Sequence, residues 1–229
     1  MNAFLHRYRL DASAPSKRSY ARDLFVRGLL PALVLLAVAF MVGEYVLPFG
    51  GLKNEAALNQ SLQATRTPAL DLAASVVSHA AGVVGAPVTA LIAFWVLRRR
   101  TGQWWLALVP LVSVALEALV YQSAALLVGR ARPEGVEQMD FGLPDASFPS
   151  GHVGASVCLM LSFALLTWSS DAPRAARLGV GLALVAWPLL VGASRLYLGM
   201  HHLSDALGGA VIGAVAALIG WWTLRRRGG

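Results

Sequence analysis

The chain has 229 residues, 57% of them hydrophobic and 14% charged, with a mean hydropathy of +0.61; that excludes an ordinary soluble domain and reads as a membrane protein. The net charge of +7 comes from basic residues set beside apolar runs, not from one aromatic-interleaved face, so membrane topology accounts for it and nucleic acid is not expected as a partner. A single cysteine, Cys158, excludes an intramolecular disulfide.

Residues 1–27 carry Arg7, Arg9, Lys17, Arg18, Arg22 and Arg27 and read as a cytoplasmic basic arm on anionic lipid. The first apolar run, Gly28 to Leu47, is long enough to cross a hydrocarbon core of about 30 Å. It lacks a small-residue cleavage site and reads as a retained span. Residues 48–71 are mixed in polarity, with Leu58 and Leu62 at helical spacing, and predict a short interfacial helix. The second run, Leu72 to Leu97, contains His79, Gly82, Gly85 and Pro87, which membrane helices tolerate, and Arg98–Arg100 end it. The third runs from the interfacial pair Trp104-Trp105 to Val128 and carries Glu117. After a loop over 129–147, the fourth, fifth and sixth runs cover His152–Trp168, Leu178–Ala193 and Leu203–Leu224.

The fold class expected is all-α: a six-transmembrane helical bundle with an interfacial helix between spans 1 and 2, one domain over 28–224, and a cytoplasmic tail at 225–229. Of nineteen Lys and Arg, fourteen fall in the N-terminal arm, at 98–100, at 174 and 177, and at 225–227. By the positive-inside rule both termini are cytoplasmic, and the loop containing Arg132 and the starts of the fourth and sixth spans face outside. Glu117 and His79, ionisable groups inside apolar runs, suggest a mutual pair.

Three boundaries carry the polar chemistry. Ser150-Gly151-His152 opens the fourth span, where free amides and the positive end of the helix dipole favour an anion, and it adds a hydroxyl, a bare backbone and a proton donor. Arg132 and Arg195 add guanidinium forks suited to the oxygens of a phosphoryl group. His201 and Asp205 lie four residues apart at the start of the sixth span; on one helical face Asp205 could fix the imidazole tautomer and leave the other nitrogen as a nucleophile. His152 would then supply the acid for the leaving oxygen. The clusters offer no paired outer carboxylates of the kind a magnesium site needs, so neither metal nor cofactor is expected.

Arg132-Pro133, Pro149-Ser150-Gly151-His152 and Ser194-Arg195 with His201 and Asp205 following resemble, in order and spacing, the signature of the type 2 phosphatidic acid phosphatase superfamily. The resemblance covers residues 125–205 by motif. It implies a metal-independent phosphatase in which His201 is transiently phosphorylated, Asp205 orients it, and His152 protonates the leaving alcohol and then activates water. Arg132, Ser150, Gly151 and Arg195 would bind the phosphoryl oxygens. Membrane members act on lipid phosphates or diphosphates, including phosphatidate, phosphatidylglycerol phosphate and polyprenyl diphosphate, so the partners implied are such a lipid and the cell membrane. Ala125 stands where the family's pattern has lysine, and Arg130 is the candidate to replace that charge.

Three other readings compete. The same phosphohistidine could pass its phosphate to an acceptor alcohol. A vanadium haloperoxidase would use a similar pocket, but those relatives are soluble. A non-catalytic lipid-phosphate-binding relative has only Ala125 in its favour.

Overall fold

The computed structural model describes residues 15–50, 52, 55–82, 84–139 and 146–224. The basic residues Arg7, Arg9, Lys53 and Arg225–Arg227 lie outside them, as does the expected tail.

Helix α1, Lys17–Tyr45, begins eleven residues before the expected start of the first span, so the chain does not break at residue 28. The Ser16 hydroxyl accepts from the Ser19 amide at 3.2 Å and caps it. Tyr20 packs edge-on against Trp104, ring centroids 5.1 Å apart, which anchors the first turns. Over Leu24–Leu29 the helix widens into a π turn. A single turn at Leu47–Gly50 follows. Helix α2, Glu55–Gln63, is the expected short helix between spans 1 and 2, and it packs against the end of a later helix, α7, Arg174–Tyr197.

The second apolar run forms two helices, α3, Pro68–Ala81, and α4, Gly85–Thr101, bent by 50°. Thr67 caps α3 by accepting from the Leu70 amide, and Pro68 sits in its first turn, where no amide partner is needed. At the bend the chain folds so tightly that a side chain at Gly85 would overlap the Ala80 carbonyl, and one at Gly82 would meet the His152 imidazole at 2.9 Å. The expected continuous span is therefore a broken one.

Helix α5, Trp104–Val128, ends at Gly129, whose φ of 58° lets its amide return to the Ala125 carbonyl. Helix α6 is Gly151–Trp168, and α7 extends past its expected bounds so that Ser194 and Arg195 lie in its last turn. Helix α8, Leu203–Leu224, has the expected limits.

Helices α5, α6 and α8 form the buried centre. Glycines on α8 allow backbone contact: a side chain at Gly209 would overlap the Ser150 carbonyl, one at Gly213 the Gly154 carbonyl, and one at Gly220 the Ser113 side chain. Around this centre α1, α3, α4 and α7 present exposed apolar residues, including Val34, Leu72, Ile92 and Leu182, as helices facing lipid do. Among the described residues five helices are long and apolar enough to cross a bilayer, and counting α3 with α4 as one broken span makes six.

Candidate active site

The predicted residues converge where α6 and α8 begin and α7 ends. His201 is not in the first turn of α8, which starts at Leu203, but in the turn after α7. That turn opens at Gly199, φ 69°, where a Cβ would strike the Glu137 carbonyl. His201 is 4% exposed, and its Nδ1–H donates to the Ser147 carbonyl at 2.6 Å. That bond selects the tautomer whose lone pair is on Nε2. Burial, and then the positive charge of Arg195, hold the His201 pKa well below the usual histidine value. The ring is thereby held toward its neutral form, with the Nε2 lone pair free of any proton.

Asp205 does not hydrogen-bond to His201, contrary to the shared-face expectation, because His201 precedes the helix. Fully buried, it accepts through Oδ2 from the Ser147 hydroxyl at 2.5 Å and the His202 amide at 2.7 Å, with His202 Nδ1 at 3.1 Å. Its Oδ1 accepts from Arg130 Nη1 at 2.5 Å. Asp205 thus holds Ser147, and Ser147 holds His201. His202, whose sequence context suggests only an interfacial polar role, is part of this network.

Arg130 is engaged by carboxylates, with Glu55 at 3.6 Å in addition to Asp205, and also donates to the Ser204 hydroxyl at 2.7 Å. The residue expected to replace the missing lysine is thus committed to two carboxylates and a hydroxyl. Ala125, 1% exposed, is packed at the end of α5. Arg132 donates to the Met200 carbonyl at 3.0 Å, beside His201. Arg195, 3% exposed, donates to the Ser78 hydroxyl of α3 at 2.6 Å.

Ser150 occupies the N-cap position of α6; its amide donates to the Asp205 carbonyl, while its buried hydroxyl has no hydrogen-bond partner among the described residues. A hydroxyl in that state suits an incoming oxyanion. Gly151 is required by the Tyr121 ring, 2.7 Å from where a Cβ would stand. His152 faces Gly82 at the α3–α4 bend and helps line a cavity of about 90 Å³ with Glu117, Tyr121 and Gln122.

Glu117 and His79 do not pair. His79 is exposed and donates from Nδ1 to the Ser75 carbonyl at 2.7 Å, whereas Glu117 is buried against Gly154. Among the described residues no cluster of His, Cys, Asp and Glu could hold a metal ion. Sequence reasoning missed Glu55, Asn59, Ser78 and Ser147. The available signal was the one-turn spacing of Glu55 and Asn59, which puts both on one face of α2.

The family model of the PAP2 superfamily matches residues 105–228, more than half of the chain. The first transmembrane PAP2 type phosphatidylglycerolphosphate phosphatase from Bacillus subtilis is similar in structure, with a TM-score of 0.65 and 20% identity over 84% of this chain and 91% of that one. Aquifex aeolicus LpxE is similar with a TM-score of 0.53 and 18% identity over 72% and 93%. Comparison with curated proteins gave no match. The family model spans the three motif boundaries and both solved structures share the helical architecture, so this chain is an integral membrane protein that belongs to the PAP2 superfamily.

Proposed function

We propose that the protein hydrolyses a lipid phosphate ester or diphosphate through a phosphohistidine on His201, without a metal, at the outer face of the membrane. The observation that carries this is the Nδ1 bond from His201 to the Ser147 carbonyl, which frees Nε2 in a neutral ring next to Arg195. In the first step the Nε2 lone pair forms a bond to phosphorus, the bond from phosphorus to the leaving oxygen breaks, and a proton from the His152 imidazolium goes to that oxygen. In the second step His152 takes a proton from water, the water oxygen attacks phosphorus, the phosphorus–nitrogen bond breaks, and inorganic phosphate leaves. Arg132, Arg195, the Ser150 hydroxyl and the amide of Gly151 stabilise the oxygens as charge develops. An apolar groove of about 250 Å³ between α3 and α7, lined by Leu70, Val77, Leu190 and Ser194, suits the hydrocarbon chain of such a substrate.

Phosphatidate, phosphatidylglycerol phosphate and polyprenyl mono- and diphosphates, each given to the purified protein, should release phosphate from at least one of them. Vanadate should inhibit and EDTA should not. His201→Ala should abolish turnover; wild-type turnover by that variant, or activity lost to EDTA and restored by magnesium, would sink the mechanism. Release of a phosphorylated acceptor alcohol in place of inorganic phosphate would identify a phosphotransferase.

A further inference from the structure

Helix α2 carries two buried polar side chains one turn apart, Glu55 and Asn59, and both grip the segment that holds the nucleophile. The Asn59 amide donates from Nδ2 to the Leu196 carbonyl at 3.0 Å and to the His201 carbonyl at 3.1 Å. These carbonyls bracket the turn between α7 and α8. Within it the helical ladder is interrupted, so its carbonyls need donors from elsewhere. The Glu55 carboxylate accepts from the Ser204 amide at 2.7 Å and from the Ser204 hydroxyl, supplying an acceptor to a free amide at the start of α8. Its other partner, Arg130, also holds Asp205. His201 is thus tied on its ring side by Ser147, itself held by Asp205, and on its main-chain side by α2.

We propose that α2 is a clamp on the nucleophile loop, with Asn59 and Glu55 as positioning residues that aim His201 Nε2 at phosphorus; this rests on the phosphohistidine reading above. In-line attack needs reacting atoms roughly 3–3.5 Å apart, and a misplacement of about 1 Å can slow a reaction about 100-fold. Arg132 and the Met139 amide hold the Met200 and Leu198 carbonyls of the turn, which leaves the His201 carbonyl to α2. Asn59 reaches across 142 residues of chain to fix the carbonyl of the nucleophile itself. No other residue type of similar shape offers two amide hydrogens there: aspartate would turn a carboxylate oxygen toward both carbonyls.

The test uses the full chain purified in detergent, assayed well below the melting temperature of each variant. Asn59→Ala should lower kcat roughly 10-fold and Asn59→Asp roughly 30-fold or more, with KM within about 2-fold of wild type, since the loss falls on the attack and not on substrate binding. Glu55→Gln, which keeps an acceptor for the Ser204 amide, should lower kcat less than Asn59→Ala, and it decides the matter if Asn59→Asp does not fold. A structural role alone would lower the melting temperature and spare kcat in the folded protein. His201→Gly supplied with free imidazole separates the two further: an imidazole not joined to the loop owes nothing to the clamp, so adding Asn59→Ala should leave the rescued rate unchanged. Wild-type kcat in folded Asn59→Ala, or an equal loss in the rescued rate, would overturn the clamp. Full turnover by His201→Ala would overturn the phosphohistidine reading and the clamp together, and so distinguishes the two failures.

Discussion

Arg130 and Arg132 are two residues apart in one loop, yet they serve different parts of the site. Arg132 reaches the Met200 carbonyl next to His201, while Arg130 is held between Asp205 and Glu55. Arg130→Ala removes the cation shared by two buried carboxylates, which keep their bonds to Ser147, His202 and Ser204, a loss on the order of 1.5–3 kcal/mol. It should therefore lower the melting temperature as well as kcat. Ala125→Lys should not rescue it, because position 125 is packed and an ammonium there would be stripped of water. Partial recovery of kcat/KM in the double variant would refute this assignment. His201 makes a pH prediction with a definite sign. Its folded pKa lies below the unfolded value of about 6.5, so the unfolded chain binds the proton more readily. The contribution of His201 to stability is full above about pH 6.5 and is lost as pH falls from there toward the folded pKa. Melting curves from pH 8 to 5 should show this decline, and His201→Gln should flatten it. The motif residues were legible in the sequence because each group is a few adjacent residues at a polarity boundary. Asn59 was not, since one amide in a segment of mixed polarity has no pattern that announces the carbonyls it will meet 137 and 142 residues away.

At the scale of helices, the sixth span was readable to the residue, because α8 is a run of apolar and small residues entered directly from a polar turn. The broken second span was not. Hydropathy sums over a window and stays high across Gly82 and Gly85, whereas the bend comes from a close approach to Ala80 and His152 that only the folded chain contains. The π turn in α1 is equally silent in composition. The glycine contacts of α8 give the helix-scale prediction. Gly213→Val would drive a side chain into the Gly154 carbonyl and separate α8 from α6, so stability should fall by at least the 1–3 kcal/mol or so typical of overpacking. Activity should fall with it, since both helices carry motif residues. Gly179→Ala on α7, with open space around it, should be neutral or stabilising by up to about 1 kcal/mol. If the two variants melted alike, the contact would not matter to the bundle.

At the scale of the whole molecule, fourteen of nineteen basic residues lie at boundaries assigned to one side, which motivates the orientation with both termini cytoplasmic. Single cysteines can test it in a background lacking Cys158. Ser147 is a poor probe position because it is fully buried and holds Asp205. Exposed Glu134 and Asp171 are better. A membrane-impermeant thiol reagent should label position 134 and spare 171 in intact cells, and the reverse pattern would invert the orientation. The bundle itself followed from the length and spacing of the apolar runs. Which helices form its centre did not, because α1 and α8 are comparably apolar and only the folded chain contains the close approaches of the α8 glycines to neighbouring backbone.

The backbone contact between α8 and α6 has a mechanical consequence. Bilayers differ in thickness, and a helix in contact with lipid answers a mismatch by tilting. Here the lipid-facing helices α1, α3, α4 and α7 can tilt on flexible side chains, whereas Gly209 and Gly213 meet Ser150 and Gly154 main chain to main chain, with almost nothing between them to deform. His152 and Asp205, each carried by one of these two helices, are therefore held at a constant spacing. The spacing of the two residues should therefore stay the same in thin and thick bilayers, a stiff jaw in a compliant sleeve.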